Sequence, residues 1–167
     1  MARSEAWGEL AYRPLAAPWG PALDLFRFVG AWAPTPEHVE SGWGAADGER
    51  LCAALVAERA GSFVMLHGPV VVAPPDASPE AALEVATELL QAALRHVSDQ
   101  GIDTLVTRPQ GLDRLWVRHG FIPVPEAELP KALRGRPGLG LFGWRGGTAL
   151  WSAAGRGAPR ARSLTPR

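Results

Sequence analysis

The sequence GIDTLVTRPQGLDRLWVRHGFIPV, residues 101–124, contains the strongest structural signal in this chain. Its first part, Asp103–Thr107, is rich in β-branched and apolar residues, and a Pro-Gln-Gly triplet follows shortly after it. Apolar side chains then recur at helical spacing up to Gly120, a residue type that commonly ends a helix. Phe121–Val124 is a second short apolar run. The stretch therefore predicts a buried strand, a short helix and another strand in succession.

A long amphipathic helix is predicted immediately before this stretch. Ser78 is a favourable N-cap, and Pro79 suits the first turn, where the missing N–H is not needed. Apolar residues then repeat at helical spacing up to Gly101, which is expected to close the helix. A helix between two strands predicts a β-α-β unit, in which Asp103–Thr107 runs parallel to Pro69–Ala73.

The N-terminal half is predicted to form the rest of the sheet. Alternating and apolar runs indicate strands, and a stripe of apolar residues three and four apart indicates a helix. Residues 30–48 are rich in Pro, Gly and Trp and are interpreted as a variable connection with one short helix. The predicted elements are a strand at Glu9–Leu15, a helix at Pro21–Val29, a short helix at Pro36–Ser41, strands at Leu51–Glu58 and Ser62–Ala73, and an edge strand at Gly138–Trp144.

Length and composition predict one soluble domain. A chain of 167 residues is large enough to bury a core without disulfides or a structural metal. The formal net charge is +0, which argues against general binding to polyanions such as nucleic acid. No apolar run approaches the roughly 20 residues that span a bilayer, and the N-terminus lacks the pattern of a signal peptide. We therefore expect a cytoplasmic protein whose domain occupies residues 1–145.

Residues 146–167 are predicted to be a disordered tail. They consist mainly of Gly, Ala, Pro, Ser and Arg, with few large apolar residues. The arginines raise the alternative of nucleic-acid binding, which would require the tail and would weaken steeply with salt. A solvated tail is the preferred interpretation.

Two segments resemble the GCN5-related N-acetyltransferase (GNAT) superfamily. Members often carry a phrase of the type LYxxxGFxxV near the C-terminus, and residues 115–124 read LWVRHGFIPV. Residues 66–74, LHGPVVVAP, are similar to the central strand of the family, which ends in LxVxP. The resemblance implies an α/β (α+β) architecture, the GNAT-like acyl-CoA N-acyltransferase fold, with a mixed central sheet flanked by helices. The matching C-terminal positions are Leu115, Trp116, Gly120, Phe121 and Val124.

The resemblance also implies a binding site for acetyl-coenzyme A (acetyl-CoA). In the family the central strand separates from its parallel neighbour, and its backbone pairs with the pantetheine arm. The start of the following helix binds the pyrophosphate through backbone N–H groups. Two arginines near the implied cleft are candidates for further phosphate contacts. The implied cofactor-binding residues are Val70, Val71, Val72, Ser78, Arg108 and Arg114.

The segment before the long helix departs from the family pattern. Members usually have a loop of the type Q/R-x-x-G-x-G/A there, whereas residues 75–82 read PDASPEAA. Pro79 removes one N–H donor, and Asp76 and Glu80 place negative charge beside the expected diphosphate. Like charges about 5 to 8 Å apart oppose binding by roughly 2 to 3 kcal/mol before salt screening. Coenzyme A binding in the usual mode is therefore expected to be weakened.

The usual catalytic positions are altered as well. Trp116 stands where members often carry a Tyr that protonates the departing thiolate, and an indole N–H cannot serve as that acid. His67 is the candidate base for the amine, because a bulge at Gly68-Pro69 would turn its ring toward the cleft. The alternative is a half-buried strand histidine with a structural hydrogen bond. No metal site is expected, since no pair of His, Cys or carboxylates has ligand spacing.

The predicted function is acyl-CoA-dependent N-acylation, with acetyl transfer to a small-molecule or peptide amine. The alternative is a catalytically inactive GNAT-fold module that binds another ligand or a protein partner, because the phosphate loop and the Tyr are lost together. Trp19, Trp32 and Trp43 are expected on the acceptor side of the cleft, where aromatic walls suit an apolar or cationic ligand. Core packing and a homodimer interface are the alternatives for these tryptophans.

Overall fold

A computed structural model describes Trp7 and residues 9–100, 102, 104–107, 112–135 and 149–152. Short 3-10 helices occupy Pro36–His38, Glu126–Glu128 and Lys131–Leu133. The α-helices and strands are β1 Ala11–Leu15, α1 Gly20–Phe28, β2 Ser41–Asp47, β3 Arg50–Ala60, β4 Phe63–Val71, α2 Pro79–Asp99, β5 Thr104–Thr107, α3 Asp113–Arg118, β6 Ile122–Pro123 and β7 Ala149–Ser152.

The strands of the described residues form one mixed sheet in the order β1-β2-β3-β4-β5-β7-β6. β4 and β5 are parallel neighbours, joined through α2, and the remaining neighbouring strands of this sheet are antiparallel. The predicted strand-helix-strand order of residues 104–123 is confirmed. The predicted mixed sheet with flanking helices is confirmed as well.

α2 covers one face of the sheet and begins as its sequence predicts. The Ser78 side chain accepts a hydrogen bond from the Ala81 N–H at 3.1 Å, and Pro79 is the first helical residue. The opposite side of the helix carries charge. No helix in the described part of the chain is both long and apolar enough to cross a bilayer. The residues of α2 that are buried against the sheet are Val85, Ala86, Leu89, Leu90, Ala93, Leu94 and Val97.

α1 covers part of the opposite face, which we call the α1 face. Leu23 and Phe26 of this helix pack against Val56 of β3 and Val70 of β4. Each such side chain contributes roughly 1.5 to 3 kcal/mol when it is fully buried. Helices on both faces therefore fix β3 and β4 at the centre of the core.

β2 is a strand in a segment whose composition instead predicts a variable connection. The segment reads SGWGAAD, and glycine is unfavourable in strands by propensity. A β-carbon at Gly44 would lie 2.5 Å from Leu51 Cδ1 and 3.0 Å from Leu15 Cδ2. Glycine at this position makes room for side chains from the neighbouring strands, so tertiary packing outweighs propensity here.

The sheet extends further toward the C-terminus than predicted. Ala149–Ser152 falls within the predicted tail, but it forms β7 and pairs with β5. Without β7, the edge of β5 that faces away from β4 would present unpaired backbone N–H and C=O groups, so pairing there satisfies them. The predicted edge strand Gly138–Trp144 and the rest of the predicted tail lie outside the described residues.

Tyr12, the only tyrosine in the chain, lies on β1 and packs against the core beneath α2. Burial, together with the Glu88 and Glu84 carboxylates, raises the pKa of Tyr12 to about 12. The ordinary phenol pKa is about 10, so there is a pH interval in which the folded state retains the Tyr12 hydroxyl proton and the unfolded state loses it. The stabilisation is complete below pH 10 and is lost as the pH rises toward 12.

We expect the tyrosinate absorbance of the native protein to titrate with a midpoint of about 12. Glu88→Gln should lower the midpoint more than Glu84→Gln, because the Glu88 carboxylate has the larger effect. Glu128→Gln, an exposed change on another part of the chain, serves as the control and should leave the midpoint unchanged. A native midpoint near the ordinary value would contradict this environment for Tyr12.

Candidate active site

The parallel pairing of β4 with β5 ends part of the way along β4. Leu66 pairs with Thr107, the last residue of β5, and Thr107 Oγ1 donates a hydrogen bond to the Leu66 carbonyl at 3.1 Å. β4 continues to Val71 and remains paired with β3. In the described part of the chain, no strand accompanies β4 on its β5 side beyond Leu66. β5 runs parallel to β4 as predicted, but the observed pairing lies at Val64–Leu66 and not at Pro69–Ala73, because the described part of β5 ends opposite Leu66.

Val70, Val71 and Val72 lie at this end of β4. The Val72 N–H donates to the Cys52 carbonyl of β3 at 2.8 Å, so the Val72 amide points toward β3. Because the backbone groups of successive strand residues alternate in direction, the N–H and C=O of Val71 point away from β3, toward the β5 side of the sheet. The Val70 side chain is buried on the α1 face. Within this run, the Val71 backbone is thus the part that faces the β5 side.

A β-bulge at Gly68-Pro69 interrupts β4, as the sequence predicts. His67 and Val70 pair with residues two apart on β3, so both side chains lie on the same face despite the two residues between them. Gly68 has a φ of +100°, a conformation that disfavours side chains. A β-carbon there would lie 3.0 Å from the Ala54 carbonyl oxygen and 3.1 Å from the Val70 nitrogen. Both the backbone conformation and the close packing therefore require glycine.

We expect Gly68→Ala to destabilise the fold by at least about 2 kcal/mol, because strain at positive φ adds to contact with neighbouring backbone. The free energy of unfolding from denaturant titration measures this. Gly61→Ala is the matched control, since Gly61 has a φ of +60° but no atom within 4 Å of the added carbon. That variant should lose only about 1 kcal/mol. If the two variants lost the same free energy of unfolding, the close packing around Gly68 would contribute nothing to the destabilisation.

His67 forms a buried pair with Glu58, a residue that the sequence analysis did not single out. His67 Nε2 lies 2.7 Å from Glu58 Oε2, and the two residues are 0% and 3% exposed. His67 pairs with Val56, and Glu58 pairs with Met65, so the two polar side chains are diagonal neighbours on adjacent strands. A buried carboxylate is costly unless it is paired, and the imidazole provides that pairing.

One signal in the sequence identifies Glu58 in retrospect. Along β3, Ala54, Val56 and Glu58 share a face because side chains alternate across a strand. The first two of these residues are fully buried, so a carboxylate two positions further along the same face requires a polar partner. Only the pairing register with β4 identifies that partner as His67.

Trp32 packs against the His67 ring from outside the sheet. The two ring centroids are 5.1 Å apart and the planes meet at 62°, an edge-to-face arrangement. Trp32 is partly exposed, whereas the imidazole is fully buried. The candidate base is therefore enclosed by the carboxylate of Glu58 and the indole of Trp32.

The three tryptophans expected on the acceptor side do not form one cluster. Trp32 contacts His67, and Trp19 lies against β2, where a β-carbon at Gly42 would be 3.0 Å from its Cζ3 atom. Trp43 is instead buried in the core beneath α2 and donates a hydrogen bond from Nε1 to His96 Nδ1 at 2.8 Å. For Trp43 the alternative of core packing is confirmed, because its position in the β2 alternation directs it to the face that α2 covers.

The start of α2 has few backbone donors for a diphosphate. The Ala81 N–H is bonded to the Ser78 hydroxyl oxygen, and Pro79 has no N–H. Asp76 and Glu80 are exposed beside this helix end. The first turn is thus largely occupied by its own N-cap and carries negative charge, and both features oppose an anionic ligand.

The structure describes some, but not all, of the remaining predicted site residues. Arg114 is exposed on α3, which follows the end of β5, whereas Arg108 lies outside the described residues. Trp116 is fully buried and packs edge-to-face on Phe121 with centroids 4.9 Å apart, so it is a core residue. Among the described residues, no group of three or more His, Cys, Asp or Glu side chains is placed to hold a metal ion.

Comparison with known sequences gives no assignment, since no protein-family model and no curated protein matches this chain. Comparison of structures does give matches. An acetyltransferase of the GNAT family from Staphylococcus aureus is 10% identical, with a TM-score of 0.61 over 87% of this chain and 99% of that one. The catalytic domain of the Tetrahymena GCN5 histone acetyltransferase, solved with coenzyme A, is 13% identical, with a TM-score of 0.58 over 87% and 94%.

A third match is the N-acetylglutamate synthase of Neisseria gonorrhoeae, solved with coenzyme A and N-acetyl-glutamate. It is 14% identical, with a TM-score of 0.63, and the alignment covers 87% of this chain but 35% of the synthase. Identities this low carry information about the fold and not about the reaction. These similarities show that the chain has the GNAT fold.

Proposed function

We propose that this GNAT-fold chain binds an acyl-CoA thioester between the separating ends of β4 and β5 and transfers the acyl group to an amine. The observation that carries the proposal is the end of parallel pairing at Leu66 and Thr107, while β4 continues along β3. The Val71 backbone points to the β5 side of the sheet, where it would provide one donor and one acceptor for an amide-containing ligand. The pantetheine arm of coenzyme A contains amides that match this requirement.

The proposed reaction is direct attack of the amine on the thioester carbonyl. The C–N bond forms, the C–S bond breaks, and coenzyme A leaves as the thiolate. His67 is the proposed acceptor of the amine proton, because imidazole has a basicity suited to that step near neutral pH. Access requires Trp32 to move aside, since the ring is enclosed in this conformation. The acceptor is a small molecule or a peptide that presents an amine.

The start of α2 restricts the way in which coenzyme A is bound in the proposed complex. Affinity for coenzyme A must come mainly from the strand backbone, because the first turn offers few amides and carries Asp76 and Glu80. Arg114 is the proposed source of a compensating phosphate contact, since it is exposed on the helix that follows β5. Arginine suits this role through its rigid, multiply donating guanidinium group.

Calorimetric titration of the protein with acetyl-CoA tests the proposal. We expect binding at micromolar to sub-millimolar concentrations. Asp76→Asn combined with Glu80→Gln should strengthen it about tenfold, which corresponds to about 1.4 kcal/mol of reduced repulsion. Asp99→Asn, a charge removal at the opposite end of the same helix, is the matched control and should leave affinity unchanged. Absence of binding at millimolar acetyl-CoA would refute transfer from this thioester and favour the inactive ligand-binding or protein-interaction module.

Arg114→Ala should weaken acetyl-CoA binding about tenfold if the guanidinium contacts a phosphate, since a charge-assisted hydrogen bond contributes about 1.5 kcal/mol or more. Dephospho-coenzyme A and pantetheine, titrated in parallel, show whether the loss depends on phosphate. Arg13→Ala, an exposed change on the outer strand β1, is the control. Equal affinity of wild type and Arg114→Ala for all three ligands would remove Arg114 from the site.

A further inference from the structure

We infer that Glu58 is a positioning residue for His67, which it holds in one tautomer so that Nε2 carries the hydrogen and Nδ1 is the proton-accepting atom. This inference deepens the proposed function and rests on it for the role of His67 in catalysis. The tautomer itself is a property of the fold and can be measured without any substrate.

The short contact between the two side chains determines which nitrogen carries the hydrogen. Glu58 Oε2 lies 2.7 Å from His67 Nε2, a distance typical of a strong, charge-assisted hydrogen bond. We take Glu58 to be ionised in this pair; its carboxylate then only accepts hydrogen bonds, and the hydrogen resides on Nε2. The neutral imidazole has one protonated nitrogen, and Nδ1 is therefore the basic atom.

The strand pairing around the two residues keeps this contact in place. Glu58 and His67 are fixed to β3 and β4 by the register between these strands, and Met65, opposite Glu58, is fully buried. The Trp32 ring packs edge-to-face against the imidazole and restricts rotation of its plane. A ring flip would exchange the two nitrogens and break the hydrogen bond to the carboxylate.

Two other histidines serve as internal references, because they differ from each other in which ring nitrogen carries the hydrogen. His119 Nδ1 lies 2.8 Å from the Leu115 carbonyl, which only accepts, so Nδ1 carries the hydrogen there. His96 Nδ1 accepts from the Trp43 indole, so its Nδ1 has no hydrogen. The expected spectrum of the native protein therefore contains both tautomers at identifiable residues.

The consequence for the reaction is a defined path for one proton. As the C–N bond forms, the amine hydrogen passes to His67 Nδ1, and the electron pair of the C–S bond leaves with sulfur as the coenzyme A thiolate. The imidazole then carries a positive charge, which the adjacent Glu58 carboxylate stabilises in a low-dielectric environment. Glu58 itself contacts neither substrate in this scheme and acts only through His67.

The first test is nuclear magnetic resonance of the histidine ring nitrogens in the ligand-free protein near pH 7.5. Long-range ¹H–¹⁵N correlations distinguish the protonated from the unprotonated ring nitrogen, and His67→Gln assigns the signal. We expect the Nε2–H form in wild type and in Glu58→Gln, whose amide oxygen still accepts a hydrogen bond, and a mixture of forms in Glu58→Ala. Glu40→Gln, a change of an exposed carboxylate just before β2, is the control.

The second test is the rate of free-thiol release from acetyl-CoA, with water as the acceptor, in the same variants. We expect Glu58→Ala to lower kcat about 100-fold and Glu58→Gln about tenfold, with KM for acetyl-CoA unchanged, since general-base catalysis contributes in this range. Glu40→Gln should retain wild-type kcat. A merely structural Glu58 would lower both variants' thermal stability and leave the kcat of the folded fraction unchanged.

The outcomes separate this inference from the proposed function. If wild type neither binds nor cleaves acetyl-CoA, the proposed function fails, and the ring-nitrogen spectrum alone decides whether Glu58 fixes His67. If His67→Gln retains full kcat, His67 is not the base. If His67→Gln loses activity and folded Glu58→Ala does not, or if the native ring is the Nδ1–H form, the positioning role of Glu58 is overturned. Glu58→Gln keeps the test valid if Glu58→Ala does not fold.

Discussion

The antiparallel pairing of β3 with β4 is the constraint on which the rest of this structure depends. Among the described residues, no parallel neighbour accompanies β4 after Leu66, so the backbone hydrogen bonds seen at this end of β4 are those to β3. The ladder to β3 continues through Val71 and across the bulge, so the strand end remains fixed. Burial of Phe26 and Val70 on the α1 face adds apolar stabilisation at the same place. The candidate site is therefore built on rigid backbone.

The same strand pair also creates the polar centre of the site. Within an apolar core, the register brings Glu58 and His67 to a diagonal contact of 2.7 Å, and each residue offsets the cost of burying the other. Replacing such a pair with apolar residues is often neutral or stabilising in proteins, so its presence here is weak support for a purely structural role. Thr107, the last residue of β5, makes a comparable polar contact, in which its hydroxyl donates to the Leu66 carbonyl.

The fold of this chain is similar to that of known acetyltransferases, whereas the side chains of its candidate site differ from the family pattern. The GNAT architecture is present, with structural similarity to acetyltransferases at 10% to 14% identity. The helix start that would face a diphosphate is nevertheless occupied by its own Ser78 cap and flanked by negative charge. Trp116, which stands at the Tyr position of the phrase that resembles the family, is buried in the core. A backbone similar to that of known acetyltransferases thus coexists with different side chains, and the proposed transfer relies on strand backbone and on the His67 pair.

The sequence by itself determined the local elements: the N-cap at Ser78, the long helix α2, the strand-helix-strand ending and the Gly68-Pro69 bulge. Each of these depends on residues close together in the chain, so capping, periodicity and turn chemistry are sufficient to predict them. The sequence did not predict β2, the assignment of Ala149–Ser152 to the sheet, or the face on which Trp43 lies. It also did not identify Glu58 as the partner of His67. These depend on register and on which distant side chains fill the space over a glycine or beside a strand edge, and only the assembled sheet decides them.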